Sequence, residues 1–61
     1  MTHDILIVDD EADIRMLVAG ILEDDGHQTR AAADSTSALE AIRTRLPSLV
    51  ILDIWLQGSA M

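Results

Sequence analysis

The 61-residue chain has no cysteine, no phenylalanine, no tyrosine and one proline, and its four basic residues are all arginines (Arg15, Arg30, Arg43, Arg45), so lysine is missing too. Without cysteine, no disulfide can staple the fold. A chain this short makes at most one domain and buries only about 60% of the surface its unfolded form exposes. Small scaffolds of this kind lean on a disulfide, a metal or a partner chain, which leaves a metal or self-association. Trp55 is the sole aromatic although 49% of residues are hydrophobic, so the core has to be aliphatic. Positive charge is also scarce: 11 acidic against 4 basic residues give a net charge of −7. That balance opposes direct contact with nucleic acid, where affinity comes from Lys and Arg on phosphates. No apolar run approaches the roughly 18 residues of a membrane span, and Met1-Thr2-His3-Asp4 lacks the basic opening of a secretory signal. A cytoplasmic protein is the expectation.

What is present is a repeated pattern. Ile5-Leu6-Ile7-Val8 runs into Asp9-Asp10, and Leu49-Val50-Ile51-Leu52 runs into Asp53. Residues 4–8 are too few for a buried helix and rich in β-branched side chains, which favours a strand covered on both faces. Asp10 then stands where an N-cap belongs, with Glu11 and Asp13 at the positive end of a helix over 11–25. Ala12, Ile14, Leu17, Val18, Ile21 and Leu22 form its apolar stripe, and Gly26 closes it. Residues 27–32 read as an edge strand, with Gln28 and Arg30 on one face and His27, Thr29 and Ala31 on the other. Asp34 or Ser35 caps a second helix over 35–46, which Ala38, Leu39, Ala41, Ile42 and Leu46 would bury and Pro47 would stop. A third strand covers 48–53.

Strand, helix, strand, helix, strand is the order that builds a parallel sheet. In such a sheet the carboxyl ends of the first and third strands share one edge, the place where open α/β sheets bind ligands. Asp9, Asp10 and Asp53 would meet there. A hard cation such as Mg²⁺ takes one or two carboxylates together with waters and phosphate oxygens, and an aspartate can itself attack phosphorus to form an acyl phosphate. Asp53, held by a stiff strand and followed by a loop, is the better nucleophile. Taken singly, an Asp-Asp pair after a strand is more often a helix cap and a solvated acid. The conjunction of the pair with a third aspartate at the same edge favours the metal reading. His3 and His27 lie far apart in the pattern, and neither is expected to bind metal or move protons. Trp55 either lines the pocket or covers apolar surface.

These residues resemble a known family. Ile5-Leu6-Ile7-Val8-Asp9-Asp10-Glu11 and Leu49-Val50-Ile51-Leu52-Asp53-Ile54 look like the opening and phosphoacceptor strands of response-regulator receiver domains of two-component signalling, and Ala33-Asp34 and Ala38-Leu39 fit the second-helix region. The segment Asp53-Ile54-Trp55-Leu56 and the tail resemble nitrogen-assimilation regulators of the NtrX kind. The resemblance implies a flavodoxin-like (CheY-like) α/β fold, here truncated to its N-terminal half: βαβαβ with a three-stranded parallel sheet in order 2-1-3. It implies that Asp53 is the phosphoacceptor, that Asp9 and Asp10 bind Mg²⁺ with Asp53, and that the backbone carbonyl of Trp55 is a further metal ligand. The donor would be a phosphohistidine on a sensor histidine kinase, and the output would be control of transcription by other domains. The chain is then a phosphorelay signalling domain and not an enzyme.

The family also needs a Ser or Thr after a fourth strand and a Lys after a fifth, and a chain without lysine cannot supply the second. The expectation is a fragment that keeps the metal-binding carboxylates without being competent alone. Its third strand, bare on one edge, invites pairing with a second copy into a homodimer or larger assembly. Three other readings compete. An inert self-associating fragment would leave the acids unliganded. A Mg²⁺-dependent aspartyl-phosphate phosphohydrolase of the haloacid dehalogenase type needs a second Asp where Trp55 stands. A Rossmann nucleotide binder needs a glycine-rich turn where Asp9-Asp10-Glu11 stands.

Overall fold

The computed structural model describes residues 2–53. Five elements follow in the order β1 (Asp4–Asp9), α1 (Ala12–Asp24), β2 (Gln28–Ala32), α2 (Ser35–Thr44) and β3 (Leu49–Asp53). They lie within one or two residues of the boundaries expected from the sequence, a difference of the size that fraying ends produce. The strands form one parallel sheet in order β2-β1-β3.

β1 is the central strand, and its side chains from Ile5 to Asp9 are all buried. A run of Ile, Leu, Ile and Val suits that place because both of its faces meet apolar cover. Each such side chain taken out of water contributes about 1.5–3 kcal/mol. Register pairs Ile5 with Thr29 on one side and Leu49 on the other, and continues to Asp9 opposite Asp53. The two helices cover opposite faces. Thr29 donates its hydroxyl to Glu23 of α1, whereas Arg30 donates to the Ala41 carbonyl of α2, and neighbouring strand residues point to opposite sides of a sheet. On the α2 side, Leu6, Val8, Ala32 and Ala38 form the core, with Ala41 and Ile42 packed against it.

The helix ends follow from local chemistry. Gly26, at φ +91°, is the left-handed closing residue of α1, and the bonds His27 N–H to the Leu22 carbonyl (3.1 Å) and Gly26 N–H to the Glu23 carbonyl (3.0 Å) complete the Schellman pattern. Asp34 is the N-cap of α2, accepting the Ser37 N–H at 2.8 Å. Arg45 is already extended at the other end, one residue before Leu46, whose helical backbone Pro47 disfavours.

Two expectations need correction. Asp10 does not cap α1; Glu11 holds that position without a capping side-chain bond. The Asp9 carboxylate ties down the Glu11 N–H instead, at 2.9 Å, so the helix starts one residue later. The apolar stripe of α1 is also not buried as a whole. Ile14, Val18 and Leu22, spaced four apart, are half-buried against the sheet, whereas Leu17 and Ile21 are each 60% exposed. One sheet face covers only one line of a broad stripe. In α2, for the same reason, Leu39 is exposed while Ala38 is buried, and Leu46 lies exposed beyond the end of the helix.

A polar clamp closes the amino-terminal end of the sheet. Arg30 of β2 places its guanidinium on both carboxylate oxygens of Asp4 (3.2 and 3.0 Å) and on the carbonyls of Ala41 and Arg45 (2.7 Å each). Arg45 adds a bond to Asp4 at 2.8 Å. The clamp joins β1, β2 and the end of α2, and a planar fork serves it better than a point charge. The Arg45 hydrogen bond, then the Arg30 bond and the charges of both arginines, hold the Asp4 carboxyl below its ordinary value against the opposing effect of desolvation. Asp34 is lowered likewise, chiefly by the Ser37 N–H. Carboxyls depressed in the folded state add stability that is full above their unfolded values, about 3.9, and is lost as pH falls through the folded ones. Asp4→Asn therefore lowers the urea midpoint at neutral pH and flattens its decline below pH 4. Equal pH slopes for the variant and the parent chain would contradict the clamp.

Candidate metal and phosphoryl site

The carboxyl end of β1 carries three acids in succession on one tight turn. Asp9 is 4% exposed, whereas Asp10 and Glu11 face solvent. Their oxygens nevertheless converge: one ligand atom from each of Asp9, Asp10 and Glu11 lies within 4.8 Å of the others. Oxygens around a small hard cation are about 3–4 Å apart, so a modest rotamer adjustment would close the group on an ion. Carboxylate is also the donor type that Mg²⁺ and Ca²⁺ select. The residues present fit such a cation.

Local bonds fix the turn. The Asp9 side chain accepts the Glu11 N–H through Oδ1, and its other oxygen has no hydrogen-bond partner among the described residues. No fully buried side-chain oxygen or nitrogen among the described residues lacks a partner. On the backbone side, Arg15 Nη1 donates to the Asp9 carbonyl at 2.7 Å. The acids also precede the first turn of α1, whose partial positive charge favours anionic groups.

Of the residues singled out from the sequence, Asp9 and Asp10 are brought together as expected. Asp53 is placed by its backbone: parallel pairing of β1 and β3 sets it in register with Asp9 at the same sheet edge. Trp55 lies outside the described residues. Glu11, read from the sequence only as a first-turn acid, joins the cluster, and the signal for it was its adjacency to the pair. Arg15 was missed. Its place one helical turn beyond Glu11 was the available hint.

His3 and His27 are closer than their separation in sequence suggested. Their ring centroids are 5.3 Å apart, the His3 N–H donates to His27 Nδ1 at 3.3 Å, and His27 Nε2 lies 3.5 Å from the Asp25 carboxylate. This pair sits at the opposite end of the sheet from the aspartates. The apolar groove of about 320 Å³ on the α2 face, lined by Val8, Ala38, Leu39, Ile42, Val50 and Leu52 among others, offers no carboxylate.

Comparison with known proteins places the chain in a family. The chain is 62% identical over 61 residues to the nitrogen assimilation regulatory protein NtrX of Azorhizobium caulinodans, covering all of this chain and 13% of that protein. The crystal structure of NtrX from Brucella abortus superposes with a TM-score of 0.88 at 67% identity, covering 100% of this chain and 14% of that one. The crystal structure of the receiver domain of Brucella abortus NtrX superposes at 0.83 with 69% identity, covering 95% of this chain and 48% of that one. The chain thus spans a small part of its full-length relatives and about half of a receiver domain. Residues 5–60 match the family described as the response regulator receiver domain, and the chain belongs to that family of two-component signalling domains.

Proposed function

We propose that this segment is the N-terminal half of a phosphoacceptor domain in which Asp53 takes a phosphoryl group from a phosphohistidine on a sensor histidine kinase. The observation that supports the reading most is the β1–β3 register, Asp9 opposite Asp53, beside the converging carboxylates of Asp9, Asp10 and Glu11. A carboxylate oxygen of Asp53 attacks phosphorus. The phosphorus–nitrogen bond of the donor breaks, its electron pair goes to the imidazole nitrogen, which takes up a proton, and an acyl phosphate remains on Asp53. Asp9, Asp10, Asp53 and the backbone carbonyl of Trp55 would hold Mg²⁺, which supplies neutralisation of the charge on the phosphoryl oxygens. Asp9 brings its turn-fixed carboxylate, and Asp10 a solvent-facing one that can exchange water for an ion.

The longer protein containing this segment would act in the cytoplasm and use the acyl phosphate to control an output, for which regulation of transcription fits the relative named as a nitrogen assimilation regulator. The segment alone contains no lysine to contact a phosphoryl oxygen, so it is proposed to bind metal without being phosphorylated efficiently. Its cation binding is read by titrating Mg²⁺ against Trp55 fluorescence. A saturable change in the millimolar range, lost in Asp10→Asn and Asp53→Asn, is expected. An unchanged spectrum at millimolar Mg²⁺ would favour the inert-fragment reading.

Self-association is a second proposal for the isolated chain. Among the described residues β3 has one sheet neighbour, β1, and Leu49, Val50 and Leu52 are 53%, 40% and 69% exposed. An apolar strand with an open edge is a template for another strand. Antiparallel pairing of two copies would give the sheet order 2-1-3-3-1-2. Light scattering is expected to report a mass above that of the monomer, and a folded monomer at high concentration would rule the pairing out.

A further inference from the structure

We propose that Arg15 is a positioning residue for the cation site, acting through the Asp9 backbone; this rests on the reading of Asp9 and Asp10 as metal ligands. Arg15 lies in the first turns of α1 and is half-buried. Its Nη1 donates to the Asp9 carbonyl at 2.7 Å, a short charge-assisted bond, while its own N–H donates to the Glu11 carbonyl at 3.1 Å. Together with the bond from the Glu11 N–H to Asp9 Oδ1, these contacts hold the acidic turn from both the backbone and the side-chain side.

What Arg15 avoids is as informative as what it touches. The ion pairs among the described residues involve Asp4 and Asp25, and none joins Arg15 to a carboxylate of the cluster. An arginine paired with Asp9, Asp10 or Glu11 would occupy the oxygens a cation needs. Anchoring to a carbonyl instead restrains the turn without placing the guanidinium on a carboxylate of the cluster. Three adjacent acids repel one another and tend to splay when no ion is bound, so an external restraint lowers the reorganisation needed on binding. Groups that orient metal ligands from behind are worth about 10–100-fold in affinity.

Two roles for Arg15 predict opposite signs. If it acted only as a nearby positive charge, its removal would strengthen cation binding. If it positions the turn, removal weakens binding although a like charge has gone. The test is Mg²⁺ affinity by calorimetry in the full chain, for the parent and for Arg15→Gln, with amide exchange of Glu11 as a second readout. An affinity loss of about tenfold is expected, with faster exchange at Glu11 and unchanged exchange at Ser37 on the α2 cap. Should Arg15→Gln fail to fold, Arg15→Lys, which keeps the charge and lacks the fork, is measured in the same way and is expected to bind more weakly than the parent. A folded variant whose affinity equals or exceeds that of the parent overturns the proposal while leaving the metal reading intact. A parent chain that does not bind Mg²⁺ overturns both.

Discussion

Parallel pairing on both edges of β1 is the constraint on which the remaining structure depends. β1 is the only strand with two neighbours among the described residues, and its side chains from Ile5 to Asp9 are buried. Both helices lean on it, because Leu6 and Val8 meet the α2 side and the alternating residues face the other layer. A shift of one residue in either register would turn every side chain of the shifted strand to the wrong face. It would also separate Asp9 from Asp53. Core packing and site geometry are thus set by the same hydrogen-bond ladder.

Polar chemistry divides between the two ends of that ladder. At the amino-terminal end the charges are paired: Asp4 takes both Arg30 and Arg45, and the Arg30 fork also binds two carbonyls near the end of α2. At the carboxyl end the acids converge without ion-pair partners among the described residues. Among the described residues the fold pairs the acid at one end and leaves those at the other without an ion-pair partner, the contrast on which the proposed cation site rests. The excess negative charge of the chain favours a cation at the second.

Much of this was legible in the residues themselves. The two apolar runs ending in aspartate specified parallel strands, Gly26 the close of α1, and Asp34 the start of α2, since each reflects a local rule acting within a few residues. The cap of α1 was misread because the Asp9 carboxylate takes the Glu11 N–H and Glu11 itself, with extended backbone, stands in the N-cap position before Ala12. The burial of α1 was overestimated because periodicity marks an apolar face without saying how wide a surface meets it; Leu17 and Ile21 fall outside that surface. The Arg30 clamp, the His3–His27 pair and the Arg15 bond were not legible. The first two join residues 11 to 41 apart in sequence, and the third depends on where a flexible side chain folds back.

The central claim is that β1 and β3 deliver their terminal aspartates to one cation. Mn²⁺, a paramagnetic substitute for Mg²⁺, tests it through amide relaxation. Selective broadening of Asp9, Asp10 and Asp53, with Asp4 and Arg30 at the opposite end of the sheet left sharp, is the result expected. Broadening spread over the acidic surface around Glu23 and Asp25, or absent from Asp53, would contradict it.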